Sequence, residues 1–232
     1  MIFLCCESST LLGSVAVFKD HTLLAFRESL RQGSHSDVLN TFVQQVLDEA
    51  NLKLSDIDLF VSGIGPGSFT GIRISLNAIK TFAYCHDKKV LGINSLEILA
   101  EQCVEEGFPI VSMINAYKNM VYVSTFEKKD GVLFCSKSPE VVRVQNLEQY
   151  ITAKSFVVGD GYNAYQKYFP RHLQLLINRP LVSQDEPSAK AISELVLRPL
   201  SYSQHWSELL PLYLRASEAE ENLIGIKFQP LF

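Results

Sequence analysis

Apolar positions open the chain as short runs and alternations and then shift to helical stripes. Ile2 to Cys6 is a continuous apolar run, and Gly13 to Lys19 alternates enough to pair with it as a strand. A hairpin through Ser8-Ser9-Thr10 joins the two. The polar turn Lys19-Asp20-His21 leads into a third expected strand, Thr22 to Ser29, before Gly33-Ser34-His35-Ser36 breaks the pattern. A helix is predicted from Ser36 to Asn51, with Ser36 as its N-cap. Leu59 to Ile64 then reads as a strand, Gly65-Pro66-Gly67 as a turn, Phe69 to Cys85 as a helix, Val90 to Asn94 as a strand and Ser95 to Glu106 as a helix. The order is βββαβαβα.

The second half follows the same order. Ile110 to Ile114, Val121 to Lys128 and Val132 to Lys137 read as strands, followed by a short helix near Leu147 to Thr152. Ser155 to Gly159 and Leu173 to Ile177 are further expected strands, with helices over Gly161 to Phe169 and Ser188 to Leu200. A meander of three strands followed by alternating α and β gives a mixed sheet covered by helices. The expected fold is therefore α/β: a duplicated ribonuclease-H-like arrangement, as in the actin, Hsp70 and sugar-kinase superfamily, with two mixed sheets flanked by helices. The expected halves are residues 1–106 and 107–232, with a helix near 188–200 that can pack back on the first half. From Ser201 on there is no clear period, and an irregular tail packed on the second half is expected.

Two helices carry more apolar surface than one stripe. Between Phe69 and Cys85, Ile72, Leu76, Ile79 and Ala83 form one row, while Ile74, Ala78, Phe82 and Cys85 form another nearly opposite. Its polar strip is narrow: Arg73, Asn77, Lys80 and Tyr84. The preceding helix has Val38, Leu39, Phe42, Val43, Val46, Leu47 and Ala50 over about half its circumference. A second stripe means deeper burial inside the chain or contact with a second protein. Both readings stay open on the pattern alone.

Composition narrows the function classes. With 47% hydrophobic and 20% charged residues the chain has ample material for a core. A formal charge of −4 provides no broad basic field of the kind that holds nucleic acid by counterion release. The N-terminus lacks the basic region of a signal peptide and meets Glu7 early, and no apolar run reaches the ~18 residues of a membrane span, so a cytoplasmic protein is expected. Five cysteines, with no C-x-x-C pair and no histidine at zinc spacing, read as thiols rather than metal ligands.

The densest candidate for chemistry is Gly63-Ile64-Gly65-Pro66-Gly67-Ser68-Phe69-Thr70-Gly71-Ile72-Arg73, a strand end, a tight glycine turn and a helix start. Such a turn can present helix N–H groups to an anion, yet it is no P-loop, because G-x-x-x-x-G-K-[ST] is missing and no lysine follows until Lys80. A structural turn and a phosphate cradle are both consistent with it. Ser68 and Thr70 have no neighbouring histidine to act as base, so a hydrolase triad has no local support.

The stretch Gly65 to Arg73 resembles the G-P-G-S-F-T-G-[LIV]-R signature of the TsaB (YeaZ) family. Glu7-Ser8-Ser9-Thr10, Gly33-Ser34-His35-Ser36 and Tyr213-Leu214-Arg215 match in the same order. This resemblance implies a non-catalytic partner subunit in the addition of threonylcarbamoyl to the tRNA adenosine next to the anticodon. Its implied partners are a TsaD-like transferase subunit and a TsaE-like ATPase, with a homodimer through the same helices as another option, tRNA met only indirectly and no membrane. The implied partner-binding residues are Leu39, Phe42, Val43, Val46, Phe69, Ile72, Arg73, Ile74, Ala78 and Phe82. Nucleotide enzymes of the superfamily bracket a magnesium-bound phosphate chain with a carboxylate from each half. Glu7 stands at that place in the first half, but the second has Asn115, where many TsaB sequences carry Asp. No catalytic residue, metal or resident cofactor is expected. ATP or ADP at the partner contact is left open, with Glu7, Ser8, Gly159 and Gly161 as the candidate contacts. The alternative is an ATP-binding or peptidase-like enzyme of the same superfamily acting alone.

Overall fold

The computed structural model describes residues 1–30, 36–180, 185–198 and 202–216. The Gly33-Ser34-His35 entry to the first helix, the capping role of Ser36 and the far end of the tail lie outside the described residues. The chain forms two compact units, residues 1–98 with 186–212, and residues 99–185 with 213–232.

In the first unit, β1 (Ile2–Glu7), β2 (Leu12–Lys19) and β3 (Thr22–Leu30) form an antiparallel meander. After α1 (Ser36–Glu49), β4 (Leu59–Gly63) pairs parallel with β1; α2 (Phe69–His86) and β5 (Lys89–Ile93) follow, β5 parallel to β4. The sheet order is β3-β2-β1-β4-β5. The central strands lie between covered faces, so they read as unbroken apolar runs: all five residues of β4 are buried, as are Phe3 to Glu7. α3 (Ser95–Glu101) is shorter than the helix expected to Glu106.

The second unit repeats the order. β6 (Ile110–Asn115), β7 (Met120–Lys129) and β8 (Val132–Arg143) form its meander. β9 (Ser155–Val158) lies parallel to β6; α4 (Asp160–Tyr165), α5 (Arg171–Gln174) and a two-residue β10 (Ile177–Asn178) complete the unit in the order β10-β9-β6-β7-β8. Counted from its own first strand, each sheet reads 3-2-1-4-5, which is the duplicated ribonuclease-H-like fold. Leu173, expected in a strand, sits instead in α5, where its side chain is buried in the second core with Val157 and Phe169.

The region after residue 186 departs most from expectation. The helix anticipated over 188–200 is a 3-10 turn at Ala189–Ala191 and a short α6 (Ser193–Leu197), whose apolar residues Ala189, Ile192, Leu195 and Val196 are all buried. The tail divides: Arg215 belongs with the second unit, its guanidinium donating to Ala116 O, whereas residues 202–212 belong with the first. Residues 202–212 cross the first unit as a strap. Gln204 exchanges backbone bonds of 2.8 and 3.0 Å with Val90, Leu209 is buried in the first core, and Leu212 N–H donates to Ile64 O at 2.8 Å. Trp206 packs edge-on to Tyr84, with ring centroids 5.2 Å apart. Among the described residues no helix is long and apolar enough to cross a membrane.

Candidate partner interface

The junction between β4 and α2 shows why glycine recurs there. Gly65 takes φ +93°, which lets the chain reverse before the helix. Ser68 caps α2 by accepting Gly71 N–H on its hydroxyl, and its own N–H donates to Ser9 O at 2.6 Å. The Ser8 hydroxyl donates to Gly71 O at 2.8 Å. The turn after β1 therefore lies flat against the first turn of α2. A Cβ on Gly71 would stand 1.9 Å from Ser8 O, a position no side chain can take. At the other end the helix stops at Asp87, which adopts the left-handed conformation and returns its N–H to Ala83 O.

Glu7 and Ser8 are turned inward. Both are fully buried. The Glu7 carboxylate accepts Ser9 N–H at 2.6 Å and the Ser95 hydroxyl at 2.9 Å, and burial pushes its carboxyl above the usual carboxylate range despite these bonds. Ser95 also accepts Gly65 N–H at 3.2 Å, so Glu7 ties β1, the glycine turn and the start of α3 together. The candidate nucleotide contacts of the first half are thus engaged in holding the turn.

Gly159 and Gly161 occupy the matching junction of the second unit. A Cβ on Gly159 would meet Met113 O at 1.9 Å, and one on Gly161 would touch the Met113 side chain at 3.0 Å. Here too glycine permits a helix start to rest on the first strand of its sheet. Asp160, between them, accepts Asn115 N–H at 2.9 Å; burial, with Asp185 adding to it, pushes its carboxyl up to about 6. Asn115 accepts Tyr117 N–H at 2.8 Å and the Tyr165 hydroxyl at 3.2 Å. Among the described residues no cluster of three metal-ligating side chains forms.

The ten expected partner-binding residues divide into two sets. Leu39, Val43, Val46 and Ile72 lie in the core with Leu47, Leu76, Ile79 and Ala83, none more than 4% exposed. These four offer no surface, which corrects their assignment: they seal α1 and α2 onto the sheet, each burial stabilising the fold by roughly 1.5 to 3 kcal/mol. The other six are accessible. Phe42, Ile74, Ala78 and Phe82 are half-buried at the rim of that core, Phe82 against Phe60 at 5.9 Å. Phe69 is half-buried beneath the exposed Arg73, whose guanidinium sits 4.1 Å from the ring centroid. Because Ile74, Ala78 and Phe82 are spaced i, i+4, i+8, they form one continuous row, flanked by exposed Arg73, Asn77 and Thr81.

The sequence family described as TsaD, tRNA N6-adenosine threonylcarbamoyltransferase, matches residues 29–222. The chain belongs to the TsaD family, in its TsaB (YeaZ) branch. The tRNA threonylcarbamoyladenosine biosynthesis protein TsaB of Haemophilus influenzae is 26% identical over 217 residues, covering 84% of this chain and 86% of that one. YeaZ from Pseudomonas aeruginosa superposes with a TM-score of 0.77 at 25% identity, covering 92% of this chain and 99% of that one. A second Pseudomonas aeruginosa structure, described as an uncharacterized protein with similarity to peptidase YeaZ, gives 0.78 at 26% identity with the same coverage. The likeness to TsaB thus spans both units. The strap was missed by sequence reasoning; its only signal is the lone Trp206 followed by Leu209 and Leu210.

Proposed function

We propose that this chain is a non-catalytic partner subunit in tRNA threonylcarbamoyladenosine biosynthesis, the pathway named by its TsaB relatives. It docks a TsaD-like transferase subunit through the row Ile74, Ala78 and Phe82, with Phe42, Phe69 and Arg73 around it, and a TsaE-like ATPase joins the assembly. The observation that carries the reading is that this row stays half-open after Ile72, Leu76, Ile79 and Ala83 have filled the core on the other side of α2. Apolar rows edged by an arginine have the composition of interface anchors, where few residues dominate the energy. The inward bonding of Glu7 and Ser8 supports a binding role over a solitary enzyme.

The test is a pull-down of the host's TsaD-like subunit by the tagged chain. Arg73→Glu alters an exposed side chain and should leave the fold intact while weakening capture by about 2 kcal/mol or more. Ile74→Asp places a charge in the apolar contact and should abolish capture. Capture that is unchanged in Arg73→Glu, with the circular dichroism of both variants native, would refute the assignment of this row.

A further inference from the structure

Each unit closes the hairpin between its second and third strands with a two-residue turn headed by an aspartate. Asp20-His21 lies between the paired Lys19 and Thr22, and Asp130-Gly131 between the paired Lys129 and Val132. Asp20 and Asp130 both take φ of 52°, and Gly131 follows at 77°. Asp-Gly is a pair that tight left-handed hairpin turns select. The carboxyl groups are held differently. Asp20 accepts the Met1 ammonium at 2.7 Å, which keeps its carboxyl below the usual carboxylate range, and a histidine follows it. The exposed Asp130 carboxyl has no hydrogen-bond or ion-pair partner among the described residues, and its neighbour Lys129 is paired with Glu127 at 2.9 Å. A Cβ on Gly131 would meet nothing within 4 Å. A third aspartate, Asp160, also precedes a glycine, but it starts α4, accepts Asn115 N–H, and has Gly161 pressed against Met113.

An aspartate closes a five-membered succinimide ring when the next backbone nitrogen bonds to its own Cγ, and glycine is the following residue that hinders this least. At Gly131 that nitrogen already faces a base: its N–H donates to the exposed Glu106 carboxylate at 2.8 Å. The bond lies along the N–H, in the plane of the peptide, so the face of the nitrogen stays open to Cγ while the proton is within general-base reach. We infer that Asp130-Gly131 is a site of spontaneous isoaspartate formation, with Glu106 as the base. In the closing step the Gly131 nitrogen bonds to Cγ of the protonated Asp130 side chain, its proton passes to Glu106, and the Cγ hydroxyl leaves with that proton as water. Water then reopens the ring. Attack at Cγ restores aspartate, whereas attack at the former backbone carbonyl routes the chain through Cβ and Cγ and frees an α-carboxylate. The isoaspartyl product keeps the original mass but adds one atom to the backbone of a two-residue turn, which draws Gly131 N–H away from Glu106. Its freed carboxylate is of the class that S-adenosylmethionine-dependent isoaspartyl methyltransferases esterify. The site does not rest on the α2 row, so either assignment can fail without the other.

The experiment ages the full chain in neutral buffer at physiological temperature, digests it, and measures isoaspartate at each aspartate by electron-transfer mass spectrometry. Transfer of labelled methyl groups by an isoaspartyl methyltransferase is the second readout. Isoaspartate should build up at 130 roughly tenfold faster than at Asp20 or Asp160, because exposed turns open locally while a buried helix start does not. Asp130→Ser should remove most of the methyl transfer. Glu106→Gln keeps an acceptor for Gly131 N–H but cannot take its proton, and should slow the build-up about tenfold with the circular dichroism unchanged. In urea, where Glu106 no longer faces Gly131, the variant and the parent chain should isomerise alike. No isoaspartate at 130, equal amounts at the three aspartates, a rate unchanged or raised in Glu106→Gln, or a slowing by that variant that persists in urea would overturn the inference.

Discussion

The two units share a strand order but solve one local problem with different chemistry. At the end of each first strand a side chain accepts the amide two residues on: Glu7 takes Ser9 N–H, and Asn115 takes Tyr117 N–H. In the first unit the carboxylate sits on the strand and the following helix starts with a serine cap. In the second the strand carries a neutral amide, and the carboxylate, Asp160, sits at the helix start and reaches back to the strand. The acid has changed sides of the junction. Position in a duplicated fold therefore preserves a bonding pattern more faithfully than it preserves the residue that supplies it, and a ligand role cannot be carried from one half to the other by alignment alone. The helices have diverged further. α2 runs 18 residues and α4 only 6, so the long apolar rows belong to the first unit.

The contrast can be broken most forcefully at Gly71. Gly71→Val would drive a side chain into Ser8 O, a backbone atom that cannot yield, and should cost about 3 kcal/mol by urea denaturation. Next in size is Asp160→Asn. The carboxyl is raised from 3.8 to about 6 in the fold, chiefly by burial, so its contribution is complete below pH 3.8 and is lost as pH rises through about 6. An amide keeps an acceptor for Asn115 N–H without the charge. The variant should remove a loss of about 2 kcal/mol across that window, seen as a flatter plot of urea midpoint against pH. Asn115→Asp restores a second-half carboxylate beside Asp160. Like charges should cost about 1 kcal/mol near pH 8 and almost nothing near pH 4, where Asp160 is protonated. The smallest effect is expected for Gly161→Ala, whose Cβ would stand 3.0 Å from Met113 Cβ and 3.1 Å from its backbone C and O, tight contacts that a shift of a few tenths of an ångström relieves. A thermal melt should register about 0.5 kcal/mol, far below Gly71→Val.

Much of this architecture is legible from periodicity. The meander, the alternating second part of each half and both long helices follow from apolar runs and stripes, and the signature from Gly65 to Arg73 marks the junction that the glycines pack. The candidate site was half legible. Ile72 and Ile74 look equivalent in a helical projection, and only the position of the sheet decides that Ile72 goes under and Ile74 stays at the rim. The same holds for Phe42 against Leu39, Val43 and Val46 on α1. Residues 186–212 were illegible for a different reason. The apolar residues of 189–196 serve several short turns instead of one helix, and Trp206 and Leu209 anchor irregular backbone that has no period to read.

That strap makes the first unit discontinuous along the chain, with consequences for synthesis on the ribosome. Residues 99–185 emerge as one stretch and can begin to assemble as soon as β9 and α4 clear the exit tunnel. The earlier β1–β5 layer, by contrast, waits for Leu209 before its face is closed. Premature termination shortly before Gln204 would therefore release a chain whose first-made half lacks the strap over β5 and whose last-made half lacks Arg215 at Ala116 O.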